Sequence, residues 1–285
     1  MSGERIELCN VEGRAALLRD GRTIDLEQRS RGHFSSDPMA ALQRWDEFCH
    51  WTKTQRAEDG DRLFDAGRLG PCVPRPSQVF AIGLNYREHA KEIGLQEPKQ
   101  PMTFTKFPSC LAGAEAEIPL TSDKVDWEVE LVVVIGKPTH RVSETQALEH
   151  VAGFCVGQDI SDRALQFADA PPQFSLGKSA VNYGPIGPSV VAREHVDFRD
   201  LSLSCDVNGR AVQRGHSDRM IFTVPAVIAH LSRYCILSPG DLIFTGTPGG
   251  VAAVGSPRRY LQVGDVLRSE ISGLGRLENR CIAER

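Results

Sequence analysis

Glu128 and Glu130 stand one residue apart in the run VDWEVELVVVIGK. The residues alternate and are β-branched, so the run reads as a strand, in which side chains at i and i+2 leave the same face about 7 Å apart. Asp126, Glu128 and Glu130 then share one side, and Val132 and Val134 continue that side as an apolar one. Trp127, Val129, Leu131, Val133 and Ile135 fill the other. Acids at the mouth of a buried strand admit three readings: a cation lies between them, one carboxyl keeps its proton, or the strand end is a polar one in water.

Downstream, VAGFCVGQDISDRALQF runs from a short apolar strand into an acidic turn and offers Asp159 as a third oxygen ligand. Three carboxylates without Cys or His at ligand spacing suit a hard ion. Mg²⁺ or Mn²⁺ fits, with water or substrate oxygens completing an octahedron. Zinc fits less well, because the chain has no CxxC or HExxH. In VFAIGLNYREHAKEIG, a strand leads to a short helix that Asn85 and Glu88 are expected to cap as a capping box and Gly94 to end. His89 and Glu92 lie at i and i+3 on that helix, where the carboxylate can orient the imidazole as a general base for water. An ordinary surface histidine beside a helical glutamate is the alternative. Lys178 lies in the Gly- and Pro-punctuated segment FSLGKSAVNYGPIGPSVV, immediately before a hydroxyl residue, and a lone lysine is ordinarily solvated.

The elements around these groups are mostly short strands. Twenty-six glycines and seventeen prolines separate short apolar runs. Asp20-Gly21 and Asn208-Gly209 read as hairpin turns, IFTVPAVIAHLSRYCIL as a helix, and the closing LQVGDVLRSEISGLGRLENRCI as a last strand pair. Leu42, Trp45, Phe48 and Trp51 recur at helical spacing as core. GPCVPRPSQVF reads as a linker, so a small N-terminal domain is expected over 1–75 and a main domain over 76–285. The TGTPGG loop lacks the GxxxxGK[ST] spacing of a phosphate cradle.

With 33 Lys and Arg against 37 Asp and Glu, the net charge is -4 and there is no basic stripe. Nucleic-acid and anionic-membrane partners are therefore not expected. No run reaches the roughly 18 apolar residues of a membrane span, and the N-terminus lacks a signal-peptide core, so a soluble cytoplasmic protein is expected. Eight scattered cysteines read as buried free thiols.

Taken in order, GLNYREHAKEIG, DWEVELVVVIGK, GQDISDRALQ, GKSAVNYGPIGP, VNGRAVQ, LSPGDLIFTGTPGGV and GDVLRSEISGLG resemble the fumarylacetoacetate hydrolase family over roughly residues 76–285. The resemblance implies a strand-rich α+β fold, a mixed β-roll or sandwich with short helices, usually a homodimer. It places the metal ligands on Glu128, Glu130 and Asp159, the catalytic groups on His89, Glu92 and Lys178, and substrate contacts on Arg163, Gln166 and Thr247. Ala252, where a glycine is common, and AVNY after Ser179 depart from the family pattern. The implied chemistry is hydrolysis of a C–C bond in 2,4-diketo acids of the acylpyruvate or fumarylacetoacetate type through a metal-stabilised enolate. Decarboxylation of an oxaloacetate-type 2-keto acid and isomerisation of a 2-hydroxy-dienedioate are alternatives on the same site. A non-catalytic metal-binding protein is a further alternative, and His89, Glu92 and Lys178 count against it, since a structural site needs none of them.

Overall fold

The computed structural model describes residues 5–255 and 257–284. It is strand-rich α+β with short helices, the class expected from the sequence. Ten strands follow one another in the main sheet, in the order 62–63, 22–25, 14–19, 7–11, 184–192, 151–158, 129–135, 242–244, 79–83 and 102–105. An eleventh, Leu111–Ala112, runs parallel to Gly184–Ala192. A second sheet holds 210–216, 202–207, 266–271, 275–283 and 118–120.

The strand Val129–Ile135 shows why the period-2 pattern was informative. Val129, Leu131, Val133 and Ile135 belong to the apolar core that also contains Leu203, Cys205, Leu267, Ile271 and Leu277 of the second sheet. On the opposite face Val132 and Val134 join Leu8, Leu17, Phe34, Trp45 and Phe48 of the N-terminal segment. That segment extends the main sheet: Glu7–Val11 pairs antiparallel with Gly184–Ala192, with Glu7 opposite Val191. Its apolar helical pattern forms two helices, Pro38–Gln43 and Trp45–Thr52, separated at Arg44, whose φ of -117° leaves the helical range.

Asp20-Gly21 and Asn208-Gly209 turn their hairpins with positive φ at both residues, as the primed turns demand. One local expectation is corrected. The helix Arg87–Glu92 has Tyr86 at its N-cap and no side-chain cap hydrogen bond. Asn85 instead donates to the Thr245 carbonyl at 2.7 Å and to the Phe222 carbonyl at 3.0 Å, and accepts from the Phe222 N–H at 2.8 Å. A buried amide able to satisfy three distant backbone groups is held there in preference to one local cap.

No helix among the described residues is long and apolar enough to cross a membrane. The eight cysteines are free, and only Cys49 and Cys235 are partly exposed. Burial pushes the Cys49 thiol up to about 12. Ellman's reagent near pH 8 is therefore expected to react within minutes with at most Cys49 and Cys235, and with all eight thiols after denaturation. Rapid labelling of a third thiol in the native protein would contradict this packing.

Candidate active site

The expected strand is interrupted at its acidic end. Val125–Asp126 pairs with Ser161–Asp162 in a small ladder of its own, and Val129–Ile135 starts after a gap at Trp127 and Glu128. Side chains take up the backbone N–H groups there. Asp126 Oδ1 accepts from Trp127 N at 2.8 Å, Gln158 Oε1 from Glu128 N at 2.8 Å, and Gln213 Oε1 from Val129 N at 3.0 Å. Leaving the ladder while remaining satisfied lets Glu128 turn toward Asp159, whose own N–H donates to the Glu128 carbonyl at 2.9 Å.

Glu128, Glu130 and Asp159 are all buried, and one carboxylate oxygen of each lies within 4.8 Å of the others. Around them sits a dense polar network. Lys178 Nζ donates to Glu128 Oε2 and to Asp159 Oδ2, each at 2.7 Å. Arg163 donates from Nη2 to Glu128 Oε1 at 2.5 Å, from Nε to Asp126 Oδ2 at 2.9 Å, and from Nη1 to Gln166 Oε1 at 2.8 Å. Lys106 Nζ donates to Asp159 Oδ1 at 2.6 Å.

This cluster sets four buried carboxylates, Asp126, Glu128, Glu130 and Asp159, against three buried cations, Lys106, Arg163 and Lys178. Glu130 alone of the four makes no ion pair among the described residues. Its Oε2 accepts only the Gly246 N–H, at 2.7 Å. Electrostatics follows the pairing. Burial pushes Glu128 up, but Lys178 and Arg163 more than offset it and hold the carboxyl well below its usual range. Burial and the neighbouring Asp159 and Glu128 push Glu130 well above that range. Burial pulls Lys106 down, and Asp159 beside it reverses the sign, so the ammonium stays charged.

A hard divalent cation fits this donor set. Three carboxylate oxygens converge, and one belongs to an acid without a cationic partner among the described residues. The Tyr86 hydroxyl is buried and has no hydrogen-bond partner among the described residues.

His89 and Glu92 sit on a separate element, and among the described residues His89 makes no hydrogen bond or ion pair to Asp126, Glu128, Glu130 or Asp159. His89 Nδ1 faces Glu92 Oε2 at 3.5 Å. The TGTPGG loop links the two groups: its Gly246 N–H holds Glu130, and its Gly250 N–H holds Glu92 Oε2 at 3.1 Å. Both glycines have φ near +100°. A Cβ on Gly250 would lie 2.1 Å from the Val212 carbonyl oxygen, so the loop can take this course only with glycine there. Thr247 in the same loop donates to the Val129 carbonyl at 3.0 Å and accepts from Gln213 Nε2 at 2.8 Å. The backbone N–H of Ala252 donates to Asp126 Oδ1 at 2.7 Å.

Sequence reasoning missed three buried residues here: Lys106, Gln158 and Gln213. For Lys106 a signal existed, since TFTKF places a lysine in line with Phe104 on a strand whose neighbours are aromatic. The two glutamines carried none, because their partners are 30 and 84 residues away.

The sequence model described as Fumarylacetoacetate (FAA) hydrolase C-terminal matches residues 78–282. A fumarylacetoacetate hydrolase from psychrophilic Exiguobacterium antarcticum superposes with a TM-score of 0.85 at 30% identity, covering 98% of this chain and 100% of that one. The chain belongs to the fumarylacetoacetate hydrolase family. Among its relatives is the mitochondrial oxaloacetate tautomerase of Homo sapiens, 41% identical over 250 residues, 81% of this chain and 80% of that protein. A fumarylacetoacetate hydrolase domain-containing protein 2 homolog of Dictyostelium discoideum is 44% identical over 216 residues, 72% of this chain and 71% of that one. The named activities therefore include both hydrolase and tautomerase. Since the human relative is mitochondrial, the cytoplasmic location expected from the sequence is not common to all its relatives.

Proposed function

We propose that the chain hydrolyses the C3–C4 bond of 2,4-dioxo acids of the acylpyruvate type. The observation that carries this reading is the unpaired Glu130 beside Glu128 and Asp159, joined through one glycine-rich loop to a His–Glu couple. Glu128, Glu130 and Asp159 would hold Mg²⁺ or Mn²⁺, which supplies Lewis-acid polarisation of the substrate's carboxylate and 2-oxo oxygens. Glu92, held by the Gly250 N–H, orients His89 through Nδ1 and leaves Nε2 to take a proton from water. That water adds to the C4 carbonyl, the C3–C4 bond breaks, and its electron pair stays on C3 until a proton arrives. The proton taken by His89 returns to C3, and the carboxylic acid and pyruvate leave.

Lys178 uses two of its three N–H donors on Glu128 and Asp159, which leaves the third for an oxygen of the substrate. Arg163 keeps Gln166 beside the same acids. Thr247, whose hydroxyl hydrogen goes to Val129, takes part as an acceptor. The Phe104 ring, its centroid 5.3 Å from Lys178 Nζ, lies tilted at 47° against Phe174, and these rings support an apolar wall for the acyl group between Gln166 and Lys178. A homodimer is part of the reading. It is supported by exposed Phe107, Phe167, Leu176 and Val181 on segments tied together by the Phe107 N to Ser179 Oγ hydrogen bond, and it is checked by light scattering.

Keto–enol tautomerisation of oxaloacetate is the second reading, favoured by the human relative. It needs a proton moved at C3 and no attacking water. Metal-stripped protein with Mg²⁺ or Mn²⁺ added back should be given acylpyruvate and enol-oxaloacetate in parallel, with enol absorbance and product acids both followed. Cation-dependent release of pyruvate from acylpyruvate supports hydrolysis, whereas loss of the enol signal from oxaloacetate alone replaces it with tautomerisation. Glu130→Gln is expected to weaken Mn²⁺ binding by more than the roughly 10- to 100-fold typical of losing an outer-shell partner. Unchanged binding in a titration would remove Glu130 from the ligand set.

A further inference from the structure

Lys106 has no part in the chemistry just described, yet it is one of the largest fully buried side chains. It follows the strand Met102–Thr105, and its backbone N–H is anchored to the Val79 carbonyl at 3.0 Å. The ammonium has three protons and three acceptors: Asp159 Oδ1 at 2.6 Å, the Tyr183 carbonyl at 3.2 Å and the Lys178 carbonyl. It therefore grips one candidate cation ligand and, at the same time, the main chain at both ends of the segment that begins with Lys178. The next residue strengthens the grip, since Phe107 N donates to Ser179 Oγ at 2.9 Å.

We infer that Lys106 is a positioning residue of the cation site: it fixes the Asp159 carboxylate from behind and sets the backbone from which Lys178 reaches Glu128 and Asp159. Asp159 is thus clamped on both oxygens, Oδ1 by Lys106 and Oδ2 by Lys178. This inference rests on the cation-site reading above. Its physical logic is that of groups behind a metal ligand, which orient it and raise its affinity although they never touch the ion.

A simpler role, charge neutralisation, predicts the opposite sign. Removing one of three buried cations leaves the four acids more negative, so pure Coulomb attraction would make a divalent cation bind more tightly. Loss of positioning makes it bind more weakly. A purely structural role lowers the melting temperature and leaves cation affinity in the folded protein where it was.

The experiment is titration of the purified full chain with Mn²⁺ alone, following the free-ion signal by electron paramagnetic resonance, for the wild type and for Lys106→Met. Circular dichroism verifies the fold of each. The wild type is measured first, and failure to bind Mn²⁺ would overturn the cation-site reading itself. Given wild-type binding, the variant is expected to bind about 10- to 100-fold more weakly with an unchanged spectrum. Affinity equal to or tighter than wild type overturns the role assigned to Lys106. If Lys106→Met does not fold, Lys106→Gln, which keeps an amide donor without the charge, is judged by the same criterion.

Discussion

Replacing His89 by alanine is expected to lower turnover of an acylpyruvate by about 100- to 10,000-fold, the range for removing a positioned general base. Mn²⁺ affinity should stay within about twofold of wild type, because His89 has no hydrogen bond or ion pair to Glu128, Glu130 or Asp159. The imidazole is well placed for the role. Its side chain is 13% exposed, enough to meet water, and Glu92 behind it is 32% exposed and held by Gly250. The 3.5 Å separation between His89 and Glu92 is long for a catalytic hydrogen bond, and such contacts commonly tighten once substrate is bound. Glu92→Gln should follow His89→Ala in direction with a smaller loss, since it removes the orienting charge and keeps the base. Steady-state kinetics on both substrates, with the Mn²⁺ titration alongside, test this. Near-normal hydrolysis by His89→Ala would move the base elsewhere. Near-normal tautomerisation with hydrolysis abolished would show that the couple serves water alone.

The parts of this site legible in the sequence share one property: they are set by short, regular spacing. The two faces of Val129–Ile135 follow from a period of two, and the placement of Glu130 with Val132 and Val134 follows with them. Asp159 was legible because it ends an apolar strand that pairs with the first, Val129 facing Gln158. Hairpin turns at Asp20-Gly21 and Asn208-Gly209 were legible because few residue pairs accept two positive φ angles.

What escaped depends on partners far away in the chain. Asn85 has a suitable neighbour at Glu88 for a capping box, but Thr245 and Phe222 supply better-buried acceptors, and nothing near residue 85 announces them. Lys106 carries only the hint of its aromatic neighbours, because its partners Asp159 and the Lys178 carbonyl arrive from more than fifty residues away. The N-terminal segment was legible as strands and helices, but its pairing with Gly184–Ala192 is a register match that no local pattern encodes.

Asp126→Ala is expected to cause the largest loss of stability, about 3–5 kcal/mol, the cost of breaking a buried ion pair by removing one partner. Asp126 is wholly buried and holds four groups. Arg163 Nε donates to Oδ2 at 2.9 Å, and the N–H groups of Trp127, Ala252 and Ala253 donate at 2.8, 2.7 and 3.1 Å. Alanine leaves three backbone donors without their acceptor, and Arg163 with only Glu128 as its ionic partner. At roughly 2–4 °C per kcal/mol for a chain of this size, the melting temperature should fall by about 6–20 °C. Arg163→Met should also be destabilising, but the double variant should lose less than the two single losses combined, because each single change leaves a charge buried that the double removes. Thermal melts of the three variants decide the matter. Additive losses would mean that the Asp126–Arg163 pair is not a unit, and a drop below about 2 °C for Asp126→Ala would mean that the backbone around Ala252 finds other acceptors.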